Sequence, residues 1–165
     1  MGDKEKLLNR VEELRELLEK SKDILEPLCY DMVNRELKYA KTVLTHVVES
    51  DDQIQIEHYT CYLDEVESFL NNKIFNKPVE KASYHMTTLC ALTDLLVNHR
   101  SEMELKYSSI AVAELNVAEK VIYDSGNLIM DDNALSAHVK NFLHNTDRLI
   151  CTVLNLNDPT MKQKK

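Results

Sequence analysis

Apolar residues recur every three or four positions along nearly the whole chain, the spacing that lines side chains along one face of an α-helix. Leu7, Val11, Leu14 and Leu18 make such a stripe, with Glu12, Glu13, Glu16 and Glu19 facing away, and predict a first helix over about 4–21. Asp23 and Glu26 stand at capping-box spacing, and Pro27 falls in the first turn of a second helix, where a missing N–H costs least. That helix is expected to reach about Glu49 through Cys29, Val33, Leu37, Ala40, Leu44 and Val47. Ser50 and Gln53 repeat the capping box and open a third, to about Asn71, striped by Ile56, Tyr59, Leu63, Val66 and Leu70.

Residues 71–78 read as a loop, with Pro78 placed to start a fourth helix over about 79–98. Between Ala82 and Val97 only Asp94 is charged, so this helix is apolar round most of its circumference and is expected at the centre of the fold. Ser101 could cap a fifth helix, or the fourth could run straight into it. The fifth ends near Asp124, with Gly126 as the residue just past the helix. Asp132 is the expected N-cap of the last helix, which carries Leu135, Val139, Phe142, Leu149 and Val153 and stops before Pro159. Helices of this length joined by short connections predict an all-α fold: one domain over 1–165, an antiparallel bundle of five to six helices. Residues 161–165 are expected to be a frayed tail.

Composition supports that class. Gly numbers 2 and Pro 3, so the usual β-turn residues are almost missing, and 29% of residues are charged. The net charge of −8, with basic residues scattered among acids, argues against nucleic acid and against an anionic membrane surface. No segment is long and apolar enough to span a bilayer, and the N-terminus lacks a signal region. Cys29, Cys61, Cys90 and Cys151 follow neither a disulfide framework nor zinc spacing. Reduced thiols in a cytoplasmic compartment are expected.

Chemistry is sought where the pattern breaks. Glu36 falls among Cys29, Met32, Ala40 and Val43, and Glu114 among Tyr107, Ile110, Val117, Ala118 and Val121. A buried carboxylate must be paired or protonated. One reading is a polar site inside the bundle formed with His85, and with His138 able to join it. The other is a core carboxylate bonded to a Tyr, His or Arg. No Glu-x-x-His follows either glutamate, so the di-iron bundle pattern is missing. His58, Cys61 and Glu65 share one face of the third helix, yet no fourth ligand is apparent for zinc. With glycine only at positions 2 and 126, neither a nucleophile elbow nor a phosphate loop can be built. No catalytic residue, metal or cofactor is assigned.

Apolar residues in the connections are the other anomaly: Ile74 and Phe75, then Leu128, Ile129 and Met130. They either fold down as plugs on the bundle's ends or form a patch that anchors a partner. The leading expectation is a non-enzymatic, regulatory interaction module that binds a protein partner through a groove or exposed helix face. Ile74, Phe75, Leu128, Ile129 and Met130 would serve as its contacts, and Glu36 and Glu114 as charges a partner could pair with. Alternatives are a bundle enzyme or carrier using Glu36, Glu114 and His85, and a homo-oligomeric structural protein associating through the first helix.

Overall fold

The computed structural model describes residues 2–83 and 85–157; the 161–165 tail and Pro159 lie outside them. Among the described residues there are seven α-helices, one more than the upper expectation, and no strand. They are α1 (Asp3–Lys20), α2 (Pro27–His46), α3 (Gln53–Ile74), α4 (His85–His99), α5 (Leu105–Ser125), α6 (Leu128–Asp131) and α7 (Asn133–Asn157). The extra element is the single turn α6, which takes up the connection that carries Leu128, Ile129 and Met130. A 3-10 turn at Arg100–Glu102 separates α4 from α5, so the two are not one continuous helix.

Capping explains several boundaries. Asp52, two positions after the expected Ser50, is the N-cap of α3 and accepts from Gln55 N at 3.1 Å. Asp132 does the same for α7, accepting from Leu135 N at 3.1 Å. Asp23 does not cap α2: the N-cap is Glu26, without a side-chain bond, and Pro27 leads the helix. Gly126 ends α5 with φ of 50°, a conformation that favours glycine. Pro78 starts no helix; α4 begins only at His85.

The long helices alternate in direction. Glu26 meets Lys73, the Glu36 carbonyl meets Tyr62 and the Val47 carbonyl meets Gln55, so α2 and α3 run antiparallel. Glu65 meets His138 and His58 meets Asn145, which sets α3 and α7 antiparallel too. One end of the bundle therefore gathers the α1–α2 connection, the end of α3, the start of α4, the end of α5, α6 and the start of α7. Lys73 ties that end together, paired with Glu26 at 3.1 Å and with Asp132.

The middle of the bundle belongs to α3 rather than α4. Its expected stripe is buried, and so is a second one of Gln55, His58, Tyr62 and Phe69. The helix packs on α1 and α2 with one side and on α7 with the other. By contrast α4 lies against α5 and α7 and buries only His85, Leu89, Leu92 and Leu96. Met86, Cys90 and Val97 on it are exposed. No described helix is long and apolar enough to cross a membrane.

Candidate functional site

Both anomalous glutamates lie in the core, at 2% exposure for Glu36 and 1% for Glu114. Each has found an imidazole. His138 Nε2 donates to Glu36 at 2.9 Å, and His138 Nδ1 donates to Glu65 at 3.2 Å. With a carboxylate at each ring nitrogen, both nitrogens carry protons and the ring is a cation. Burial opposes that charge, but Glu36 outweighs it, helped by Glu65, and the pKa of His138 is pushed up to about 10. The ring also packs on Phe69, with centroids 4.8 Å apart.

The second pair lies about two turns away along α3. His58 Nε2 donates to both oxygens of Glu114, at 2.8 and 2.9 Å. Tyr59 adds its hydroxyl at 2.9 Å, Thr146 at 3.0 Å and Tyr39 at 3.4 Å. Burial first, then the charge of Glu114, holds the Tyr59 phenol protonated well above its ordinary range. Four donors on one carboxylate fill the acceptor sites it offers. These networks clamp α2, α3, α5 and α7 together, and neither glutamate faces outward to meet a partner's charge.

An internal site built on Glu36, Glu114 and His85 would need the three to converge. Instead the glutamates are committed to different histidines, and His85 Nε2 is the one buried side-chain nitrogen or oxygen among the described residues with no hydrogen-bond partner. His58, Cys61 and Glu65 part in the same way. His58 turns to Glu114 and Glu65 to His138 and Asn141, while Cys61 accepts from Arg148 at 3.7 Å. A cleft of about 70 Å³ between α3 and α7 is bordered by His58, Cys61, Asn145 and Arg148. The donor atoms of Glu26, Cys29 and Asp132 do lie within 4.8 Å of one another. The Lys73 ammonium pairs with both of those carboxylates, and burial pushes the Cys29 thiol up to about 12, so this cluster already holds a cation of its own.

The apolar residues of the connections all come to the α6 end, and the structure divides them. Ile129 is 6% exposed and plugs the core, while Ile74 and Leu128 are half-buried against it. Phe75 is 66% and Met130 52% exposed. Beside them lies an open depression of about 450 Å³ bordered by Lys73, Asn76, Lys77, Leu128, Asp131 and Asn133. Phe75 falls in sequence between its lining residues Lys73 and Asn76, and Met130 between Leu128 and Asp131. The Lys77 ammonium sits 5.7 Å from the centre of the Phe75 ring. Ile24, Met86 and Tyr123, all exposed, belong to this end as well, which therefore holds five of the seven large exposed apolar side chains described. Ile24, Met86 and Tyr123 stand out in sequence only as stripe-breakers near helix ends. That the ends meet is a property of the fold.

The first helix offers no comparable surface, because its stripe of Leu7, Val11, Leu14 and Leu18 is buried within the bundle. No family model, curated protein or solved structure matches this chain.

Proposed function

We propose that this protein is a non-enzymatic interaction module that docks an apolar segment of another protein on the α6 end of its bundle. The observation that carries the reading is the exposure of Phe75 and Met130 beside one depression, at the bundle end that also holds exposed Ile24, Met86 and Tyr123. Contiguous exposed apolar surface on a folded protein tends to mark an interface. Phe75 and Met130 are suited to be anchors, the first large and rigid, the second adaptable. Lys73, Lys77, Asp131 and Asp132 supply a charged border of both signs, the polar rim that surrounds an apolar centre in such interfaces.

Preorganisation favours the same end. Lys73 holds the start of α2, the end of α3 and the start of α7 in one arrangement, and the Ser136 hydroxyl accepts from Ala82 N at 3.2 Å ahead of α4. A dock fixed before binding loses less conformational freedom when a partner arrives.

The test places a photo-crosslinking amino acid at Phe75, at Met130 and, as a control, at Glu13 on the exposed side of α1, in native extract. A discrete adduct at 75 and 130 and none at 13 is expected. The adduct partner, purified, should bind at least about tenfold more weakly to Phe75→Ser and Met130→Ser, with Glu13→Ala unchanged. Equal binding by all three variants, or the same adduct from position 13, overturns the reading.

A further inference from the structure

We propose that a second copy of this chain packs against the outer face of α4, the two helices antiparallel across a two-fold axis.

The face is unusual for a bundle exterior. Successive helix residues are rotated by about 100°, which places Met86, Cys90, Thr93 and Val97 within about 60° of one another, roughly 100° round from the buried stripe. All four are exposed, Val97 at 72% and Met86 at 44%. Their spacing of four, three and four residues is that of a coiled-coil seam. The buried residues His85, Leu89, Leu92 and Leu96 carry the same spacing one position earlier, so α4 has one seam facing its own bundle and another facing out.

Charge points to the occupant. The chain carries −8 overall, and its other exteriors show it, as with Glu12, Glu13, Glu16 and Glu19 on α1. Two copies meeting across such faces would repel. Across the α4 seam they would not, because Asp94 beside it is the single charge between Ala82 and Val97. The seam also matches itself in shape. In an antiparallel pair centred between Cys90 and Thr93, each Met86 lies opposite Val97 of the other copy, and each Cys90 opposite Thr93. Small residues at the crossing let the helices approach, larger ones close the two ends, and the helix macrodipoles oppose. A symmetric, self-complementary patch of this kind forms a closed dimer. One helix pair is smaller than the roughly 800 Å² per partner of a standard interface, so the association is expected to be weak.

The test is sedimentation equilibrium of the full chain from about 5 to about 500 µM, a range that brackets a micromolar dissociation constant. A reversible monomer–dimer equilibrium is expected for the native chain. Val97→Glu should weaken it at least about tenfold, an unfavourable charge at a seam position, while leaving the circular dichroism melt unchanged because Val97 supports nothing in the fold. Register is read by oxidising an equimolar mixture of the native chain and Thr93→Cys, Cys90→Ser, in which Cys90 of one copy meets the new thiol of the other and no chain holds both thiols. Disulfide-linked dimer should form faster in the mixture than in either chain alone. A monomer throughout the range, a dimer indifferent to Val97→Glu, or native Cys90 linking alone as fast as the mixture each overturns the proposal. Met86 is the one seam residue that also belongs to the α6 end, and the variants at Cys90, Thr93 and Val97 leave Phe75 and Met130 untouched, so the result is read apart from the docking of another protein.

Discussion

Replacing Glu36 by Gln tests how much the buried imidazolium contributes. The wild-type pair is 2.9 Å apart with both side chains almost fully buried, and Glu65 supports the far nitrogen of the ring. The interval between the ordinary His value of 6.5 and about 10, at about 1.4 kcal/mol per pH unit, sets a ceiling of about 5 kcal/mol. An independent route agrees, since removing one member of a buried pair costs about 3–5 kcal/mol. Gln still accepts one hydrogen bond and Glu65 remains, so the lower end, about 3 kcal/mol, is expected. In a chain of this size that lowers the melting temperature by roughly 6–12 °C.

The pH dependence gives a second, sharper readout. His138 has a folded pKa above its unfolded one, so its contribution is complete below about pH 6.5 and declines as pH rises, to vanish near pH 10. Guanidinium unfolding followed by circular dichroism should therefore show a gap of about 3 kcal/mol between wild type and Glu36→Gln at pH 6, closing toward zero at pH 10. Glu36→Met combined with His138→Leu should cost less than Glu36→Gln alone, because the buried imidazolium is removed together with its main counter-charge. A gap under about 1 kcal/mol at pH 6, or the same gap at both pH values, would refute the imidazolium assignment.

Three further outcomes follow from single side chains. Tyr59→Phe removes a 2.9 Å donor from Glu114 and should cost about 1–3 kcal/mol in a urea titration, with Tyr39→Phe, whose contact is 3.4 Å, costing less. Burial lowers the pKa of His85, so the unfolded chain takes up a proton there more readily and stability is lost as pH falls below about 6.5. His85→Leu removes the orphaned Nε2, should stabilise by about 1 kcal/mol at neutral pH and should flatten that acid-side loss in melts between pH 5 and 7. Among the thiols, exposed Cys90 should react first with an aromatic disulfide reagent. Cys29, fully buried and with its pKa pushed up to about 12, should react only after denaturant is added, as read by mass spectrometry of the labelled peptides.

Local rules anticipated what depends on neighbours in sequence. The stripes of α1 and α2, the role of Asp132 and the break at Gly126 are all set within a few residues, and the structure keeps them. The same rules identified Glu36 and Glu114 as carboxylates that must find partners. They could not say which ones, because His58 is 56 residues from Glu114 and His138 is 102 from Glu36. Helical phase sets His138, three after Leu135 and four before Phe142 on the stripe, apart from exposed His144, but says nothing of the two carboxylates that meet it. Nor could they tell that Ile129 would close the core while its neighbour Met130 stays out, since that follows from how the single turn of α6 sits on α7.

The least charged helix is not the central one. Charge counting favours α4, yet burial is decided by how many faces meet a neighbour, and that needs stripes rather than an average. In α3 the second stripe was present throughout: Gln55, His58, Tyr62 and Phe69 follow one another at three, four and seven residues, offset by one from Ile56, Tyr59, Leu63 and Phe69's neighbour Leu70. Its polar members disguised it, because a glutamine, a histidine and a tyrosine read as surface until Lys106 O, Glu114 and the Glu36 carbonyl are there to accept from them. In α4 the two stripes are apolar or uncharged, and only one has a neighbour in the bundle. A helix built with two seams, one of them left open, is what the proposed second copy would complete by lying along Met86, Cys90, Thr93 and Val97.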